Sequence, residues 1–318
     1  MQNLLDPVIL FFLLGIIAGI LKTELRLPEA IYDTLSIYLL LAIGFKGGIE
    51  LSKTSISELI FPLSGTLLLG IIIPLLAYII LKKIGKFGNS DSAAIAAHYG
   101  SVSAVTFAVS IDFAKNLNLF SEEYMTILLV MLEIPAIAIG IFIARFKSPE
   151  SEIDIKSLMK EVFLGKSIYL LIGGLIIGYF AGMYQNMSIK ILFVDMFKGF
   201  LAFFLLEMGI IASRRFKDFK KVGFFLIAFG IFMPVISAIL GITIGLITGL
   251  SPGGTFILSC LAASASYIAA PTAMRIAVPE ANPTYYITAS LGITFPFNII
   301  FGMQLYFYLT ETAFKYLK

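Results

Sequence analysis

The sequence predicts an all-α integral membrane protein with about ten transmembrane helices in two inverted five-helix repeats, in which helices 4 and 9 are broken and cross near the membrane centre. The first indication is composition, since 59% of the 318 residues are hydrophobic and only 14% are charged. The mean hydropathy is +0.97. Because a soluble domain of this size cannot bury so large an apolar fraction in one core, the soluble classes of protein are excluded.

The second indication is the spacing of the apolar runs. Crossing the hydrocarbon of a bilayer takes about 17 to 25 residues in a helix. Runs of about this length lie near residues 7–21, 31–48, 59–81, 92–114, 124–146, 167–183, 196–212, 223–250, 255–274 and 286–309. The first run follows Asp6 and lacks both a basic flank and a small-residue cleavage site, so we expect it to be a helix and not a removable signal peptide.

Basic residues predict the orientation. Alternate loops hold 16 of the 23 lysines and arginines, and such loops face the cytoplasm. We therefore expect a multi-pass protein of the cell membrane with both termini outside and the 147–166 connection in the cytoplasm. The net charge of +3 follows from this bias and indicates no nucleic-acid partner. The single cysteine, Cys260, lies in the ninth run, so we expect no disulfide.

The third indication is internal similarity. The polar connection 147–166 separates residues 1–146 from 167–318, with five spans on each side. Two related halves with an odd number of spans have opposite orientations, as in many secondary transporters. The segment HYGSVSAVTFA (98–108) aligns with LAASASYIAAP (261–271), Pro135 aligns with Pro296, and Gly44 aligns with Gly209. We interpret these ordered matches as an inverted repeat.

The aligned serine clusters predict two helix breaks, near 100–105 and 264–271, with Pro271 at the end of the second. Inside a membrane such breaks persist only where they face protein or a polar cavity. Inverted half-helices would meet with their amino-terminal ends, which attract anions, and the serines would cap them. The competing interpretation is close helix packing through small residues, which is what we expect for Gly174 and Gly178.

Three polar residues inside the apolar runs need partners. An ionised carboxylate at Glu133 would cost about 2.5 to 3.5 kcal/mol, so it is protonated, paired or bound to a cation. Glu207 lies close to SRRFK (213–217), which also allows a structural ion pair. His98, the only histidine, is either a hydrogen-bonded core residue or a proton carrier, and the first interpretation is preferred.

Four segments carry a family resemblance. They are LPEAIYDTLSIYLLLAIGFKGGIEL (27–51), YGSVSAVTFAV (99–109), MLEIPA (131–136) and AASASYIAAPTAMRIAVPEANPTYY (262–286). They resemble successive signature regions of the SbtA-type sodium-dependent bicarbonate transporters. The resemblance implies a gate unit of spans 1, 2, 6 and 7 and a core of the other spans. It also implies that bicarbonate binds between the broken fourth and ninth spans with sodium beside it. Members of the family form homotrimers, and some are inhibited by a cytoplasmic PII-like regulator.

The resemblance and the two breaks together give a set of candidate residues. The candidates for substrate binding are Ser101, Ser103, Ala104, Val105, Thr106, Ser264, Ser266, Tyr267, Ala269 and Ala270. The candidates for the coupling ion, Na+ or H+, are Glu133, Ser103, Thr106, Ser266 and His98. The chain departs from the family at Tyr267, where the family has an aspartate, and at Glu133, where it has a shorter aspartate.

These observations predict a secondary active transporter, not an enzyme, that imports a small anion together with a cation and needs no cofactor. Bicarbonate with Na+ is the first choice. The alternatives are H+-coupled or uncoupled transport, or a channel, for another small inorganic or carboxylate anion. An intramembrane hydrolase pairing His98 with Ser101 is a further alternative, disfavoured because the sequence has no G-x-S-x-G turn.

Overall fold

The computed structural model describes residues 6–25, 27–146, 164–184 and 188–317, and these residues are helical with no β-strand. The prediction of an all-α protein is therefore confirmed for this part of the chain. The expected connection at 147–166 lies outside the described residues except for its last three positions.

The described residues form six helices before the central connection. They are α1 (Pro7–Ile20), α2 (Glu29–Leu51), α3 (Ile56–Lys83), α4 (Asn89–Gly100), α5 (Ala104–Asn116) and α6 (Met125–Phe146).

Six more helices follow the connection. They are α7 (Lys166–Met183), α8 (Phe197–Arg215), α9 (Phe219–Ile247), α10 (Pro252–Ala262), α11 (Ala269–Ala277) and α12 (Pro283–Tyr316). Short segments of other helical geometry adjoin α8 at Ile191–Asp195 and Phe216–Asp218, and α12 contains π-helical turns at Thr288–Thr294 and Asn298–Gly302.

Seven stretches among the described residues are long and apolar enough to cross a membrane. They are Glu29–Leu51, Ser57–Lys83, Asn89–Asn116, Met125–Arg145, Lys166–Met183, Phe197–Ile247 and Pro283–Tyr316. Two shorter apolar helices are α1 and α10. Length and apolar composition together identify an integral membrane protein.

Glycines bring two pairs of helices into close contact. In the α2–α7 pair, a Cβ on Gly174 would lie 2.7 Å from the Leu41 carbonyl oxygen, and one on Gly178 would meet the backbone of Phe45. In the α1–α8 pair, a Cβ on Gly209 would meet the backbone of Phe12. Small residues allow this approach of two membrane helices, so the packing interpretation of Gly174 and Gly178 is confirmed.

The most enclosed helices are α4, α5 and α10. In the apolar window of Asn89–Asn116, 89% of the residues are buried, against 28% for Lys166–Met183. Every residue of α10 from Gly253 to Ala262 is buried. The interior of the protein is therefore built around the segments that contain the two breaks.

Both breaks occur where the sequence places them. The first covers residues 101–103, between α4 and α5, and the second covers 263–268, between α10 and α11. The second break ends at residue 268, and Pro271 lies just beyond it as the third residue of α11. Its missing amide hydrogen is tolerated there because the first-turn amides of a helix have no intrahelical acceptor.

Candidate functional site

The two helix breaks contact each other through backbone hydrogen bonds. The amide of Ser103 donates to Oγ of Ser264 over 2.9 Å, and the amide of Ser266 donates to the carbonyl of His98 over 2.8 Å. Each amide thus finds its acceptor in the other half of the chain: Ser103 in the second break itself, and Ser266 in the last turn of α4, just before the first break. Such mutual satisfaction allows irregular backbone inside an apolar protein interior.

Serines cap both half-helices that follow the breaks. Ser103 is the N-cap of α5, and its Oγ accepts the amide of Thr106 over 3.1 Å. Oγ of Ser266 accepts the amide of Ala270, in the first turn of α11, over 3.1 Å. Each capped end carries about half a positive charge from the aligned peptide dipoles.

Tyr267 links the two ends. Its hydroxyl accepts a hydrogen bond from Oγ of Ser103 over 3.2 Å, and its ring packs edge-on against Phe295 with 5.0 Å between centroids. The side chain therefore extends from the segment before α11 to the cap of α5.

A small cavity, which we call the site cavity, lies where these ends meet. Its volume is about 10 Å³, close to the minimum for a single water molecule. It is lined by Leu40, Val102, Ser103, Ala104, Glu133, Ser167, Ser266, Tyr267 and Ile268. The structure thus brings together residues from both breaks, from α6 and from the start of α7.

Glu133 is the only carboxylate among the residues that line the site cavity. Its side chain is 4% exposed, and its Oε2 has no hydrogen-bond partner among the described residues. A buried polar atom without a partner is rare in native proteins and calls for a functional or structural explanation.

The other predicted residues lie around this cavity in different roles. Ser101 is fully buried at the end of α4, with an unpartnered Oγ, and does not line the cavity. The amide of Thr106 donates to Oγ of Ser103, and Oγ of Ser264 accepts the amide of Ser103 where the two breaks meet. Three apolar candidates, Val105, Ala269 and Ala270, do not line it either.

His98 is a stacked core residue. Its Nδ1 lies 2.6 Å from the carbonyl oxygen of Ala94, and its ring stacks on Tyr286 with 4.5 Å between centroids. Neither its Nε2 nor Oγ of Ser101 has a hydrogen-bond partner in the described residues, so these two atoms do not bond to each other. This geometry removes the pairing on which the hydrolase alternative depended.

The structural ion pair considered for Glu207 is not seen among the described residues. Its Oε2 accepts the backbone amide of Leu27 over 3.3 Å, and Arg215 pairs with Asp218 at 3.8 Å. Glu207 therefore fixes the chain that leads into α2.

Two polar residues near the breaks were missed in the sequence. Ser167 lines the site cavity from α7, but a serine at the start of a predicted span is indistinguishable from an ordinary loop residue. The side-chain Nδ2 of Asn298 donates to the carbonyl of Ala263 over 2.8 Å and so satisfies the end of α10. The alignment of Pro135 with Pro296 was the one signal that pointed to this part of α12.

A larger cavity, which we call the vestibule, adjoins the site cavity. Its volume is about 690 Å³, and it shares Ser167, Tyr267 and Ile268 with the site cavity. Its wall also carries three basic side chains, Lys166, Arg215 and Arg275. Tyr267 thus lies between a wide basic cavity and the two helix ends.

Comparison with protein families identifies the chain. A model of the Na+-dependent bicarbonate transporter superfamily matches residues 7–311. The protein belongs to that superfamily. The resemblance seen in four sequence segments is therefore confirmed over nearly the whole chain. A comparison with functionally curated proteins finds no significant match.

For a member of this superfamily, sodium would be cargo and not a resident cofactor. No group of three or more His, Cys, Asp or Glu side chains that could hold a metal ion occurs within the described ranges. The oxygens around the site cavity belong instead to the Glu133 carboxylate and to hydroxyls of Ser103, Ser167, Ser266 and Tyr267. Oxygen atoms are the ligands that hard cations prefer.

Proposed function

We propose that the protein is a secondary active transporter that imports a small anion together with a cation, with bicarbonate and Na+ as the first pair to test. One observation carries the proposal: the amino-terminal ends of two half-helices meet at a cavity lined by a buried carboxylate, one oxygen of which has no hydrogen-bond partner among the described residues. This arrangement offers attraction to an anion and to a cation within one small space.

The anion would bind between α5 and α11. Ala104 and Ile268 line the site cavity at the start of these helices, so the positive ends of both dipoles face it. Helix amino termini bind anions without a basic side chain. Hydroxyls of Ser103 and Ser266 would add donors once the present hydrogen bonds rearrange.

The cation would bind at Glu133. The internal alignment pairs Glu133 with Thr294, whose Oγ1 donates to the carbonyl of Gly230 over 2.7 Å and also bonds to the hydroxyl of Tyr99. The hydroxyl of Thr294 in the second half therefore has hydrogen-bond partners, whereas Oε2 of Glu133 has none among the described residues. A bound Na+ or proton would compensate this carboxylate.

Coupling is needed for energetic reasons. An anion that enters a cell with a negative interior is opposed by about 2.3 kcal/mol per charge for each 100 mV of membrane potential. A co-transported cation offsets that cost. Because Glu133 is the only carboxylate at the site cavity, H+ is the second candidate for the coupling ion.

Helix contacts support ten spans in an inverted repeat. We count α4 with α5 as span 4 and α10 with α11 as span 9. Exchanging the first five spans with the last five pairs each contact with another. The contact α1–α8 becomes α7–α2, and α3–α4 becomes α9–α10. Likewise α3–α6 becomes α9–α12, and α5–α10 becomes α11–α4. All eight contacts occur in the structure, as a two-fold relation between the halves requires.

Alternating access is supported by the difference between the two ends of the site. On one side the vestibule reaches Tyr267, and its basic residues belong to the loops expected in the cytoplasm. On the opposite side Lys198 of α8 bonds to Asp112 of α5 at 2.8 Å and pairs with Asp6 at 3.4 Å. We infer an inward-facing state, in which the Lys198–Asp112 pair holds the gate unit (α1, α2, α7 and α8) against the core.

Transport into proteoliposomes tests the proposal. Labelled bicarbonate is offered under an imposed Na+ gradient and, separately, under an imposed H+ gradient. Uphill uptake driven by Na+ supports the first candidate, and uptake driven only by H+ supports the second. If neither gradient drives uptake of bicarbonate, nitrate or small carboxylates, or if flux persists at channel rates without accumulation, the proposed function is wrong.

The location and the assembly remain proposals that rest on the orientation rule and on the resemblance. We propose a cell-membrane protein with both termini outside, assembled as a homotrimer, with inhibition by a cytoplasmic PII-like protein as the implied regulation. Mass measurement of the detergent-solubilised protein tests the trimer, and protease access to tags at both termini in intact cells tests the orientation.

A further inference from the structure

A lysine lies inside α2 and makes no salt bridge to any residue that the structure describes. Lys46 is partly buried, and its Nζ lies 4.3 Å from the ring centroid of Phe197. Within the described residues it makes no salt bridge and no hydrogen bond, although Glu50, Asp112 and Lys115 are close enough to interact electrostatically. A charged side chain in a membrane helix is costly and usually marks an ion or substrate path.

A cavity lies beside this lysine. We call it the outer cavity, and its volume is about 30 Å³, which is room for about two water molecules. It is lined by Ile43, Lys46, Phe107, Ala108, Ile111, Thr126 and Phe197. These residues come from α2 and α8 of the gate unit and from α5 and α6 of the core, so the cavity lies in the seam between the two units.

The outer cavity is the first of four cavities that adjoin one another. It shares Ile43 and Ala108 with a middle cavity of about 10 Å³, which in turn shares Leu40, Ala104 and Ile268 with the site cavity. The site cavity shares Tyr267 with the vestibule. Cavities that share wall residues in this order lie in a row from Lys46 past both half-helix ends to the vestibule, and we take this row as the path of the anion.

We propose that Lys46 is the anion-recruiting residue at the outer end of this path and that it holds a small monovalent anion before the anion reaches α5 and α11. The inference rests on the proposed function, which places the anion between those helices. An ammonium that faces an aromatic ring is already partly removed from water, so its attraction for an entering anion is stronger than at an exposed site. The narrow middle cavity then separates recruitment from binding.

The charge of Lys46 can be tested without measuring transport. Cys260 is the single cysteine of the sequence and is fully buried, so a cysteine introduced by Ile111→Cys at the outer cavity is the intended target of a thiol reagent. The ratio of labelling rates for an anionic and a cationic methanethiosulfonate reports the local potential. Lys46→Gln should lower this ratio by about threefold or more, and the control Lys53→Gln, at an exposed position just beyond α2, should leave it unchanged.

Ligand protection identifies the anion. Bicarbonate should slow labelling of the Ile111→Cys protein, and Lys46→Gln should abolish that protection while Lys46→Arg keeps it. An unchanged rate ratio in Lys46→Gln overturns the inference whatever the transport assay gives. A different result is a lowered rate ratio in Lys46→Gln with no protection by bicarbonate and no gradient-driven uptake. That result supports a positive charge of Lys46 at the outer cavity but contradicts bicarbonate as the substrate.

Uptake kinetics provide a second readout. Lys46→Gln should lower Vmax/KM for the anion about tenfold and weaken its dependence on ionic strength, whereas Lys53→Gln should change neither. If Lys46→Gln fails to fold, Lys46→Arg is compared in its place, because it retains the charge and should preserve both quantities. A normal Vmax/KM in folded Lys46→Gln contradicts the inference.

Discussion

The hydroxyl groups of Ser103 and Tyr267 lie 3.2 Å apart and join the cap of α5 to the segment that leads into α11. Because Tyr267 lines both the site cavity and the vestibule, this hydrogen bond lies at the boundary between them. Ser167 and Ile268 also line both cavities, so access from the vestibule to the half-helix ends passes these three side chains.

Replacing Tyr267→Phe should increase that access. The ring keeps its contact with Phe295, but the hydrogen bond to Ser103, worth about 0.5 to 1.5 kcal/mol, is lost. A cysteine introduced by Ala104→Cys at the site cavity should then react with a small thiol reagent about two to ten times faster. The control is Tyr285→Phe, whose ring packs against Phe87 away from the site, and an equal rate in both variants would contradict a role for Tyr267 as a barrier.

Ser264→Ala should destabilise the crossing of the two breaks. The variant removes the oxygen that accepts the Ser103 amide, and a buried amide left without an acceptor costs about 1 to 3 kcal/mol. Ser110→Ala is the matched control, since this buried hydroxyl only donates to the carbonyl of Phe107 inside α5. We expect a clear drop in the thermal midpoint in detergent for the first variant and a small one for the second.

Glu133→Gln should separate exchange from accumulation. The amide keeps the shape of the side chain but can neither bind a proton nor balance a cation, so uphill uptake should fall at least about tenfold while exchange of the anion across the membrane continues. Glu207→Gln is the control, because that buried carboxylate accepts the Leu27 amide and does not line the site cavity. Accumulation that survives in Glu133→Gln would place the coupling ion elsewhere.

Lys198→Met should shift the protein toward an outward-facing state. It removes the pairs with Asp112 and Asp6, and exposed pairs of this kind are worth up to about 1 kcal/mol, or up to about a fivefold change in population. Labelling of a cysteine introduced by Ile43→Cys should rise by a similar factor. Lys166→Met, which breaks the Lys166–Asp33 pair inside the gate unit, is the control and should change nothing.

The sequence predicted the breaks better than their cause. Ser103 and Ser264 align in the two halves, and this alignment located both interruptions. Pro271 was expected to favour an interruption nearby, and it lies just after the second break in the first turn of α11, where a proline fits a helix. The reason is that a break inside the protein persists where its amides find acceptors. Those acceptors lie far away in the chain: Oγ of Ser264 accepts the Ser103 amide, and the carbonyl of His98, in the last turn of α4, accepts the Ser266 amide.

Side-chain roles were only partly predictable. Glu133 and His98 were both singled out as polar residues in apolar helices. Only the structure shows that Glu133 lines the site cavity with an unpartnered oxygen, while His98 is bonded to Ala94 and stacked on Tyr286. Periodicity does not distinguish these environments, because both residues occupy apolar runs of similar length.

The sequence by itself determined the all-α membrane class, the positions of the two breaks and the family, because these depend on composition, apolar run length and local motifs. Only the tertiary structure decided which polar groups share a cavity, that Tyr267 lines both the site cavity and the vestibule, and that Lys46 lines a cavity between α2, α5, α6 and α8. The physical reason is that these relationships depend on contacts between distant segments, and each contact is fixed by how the helices pack and not by the residues of any one helix.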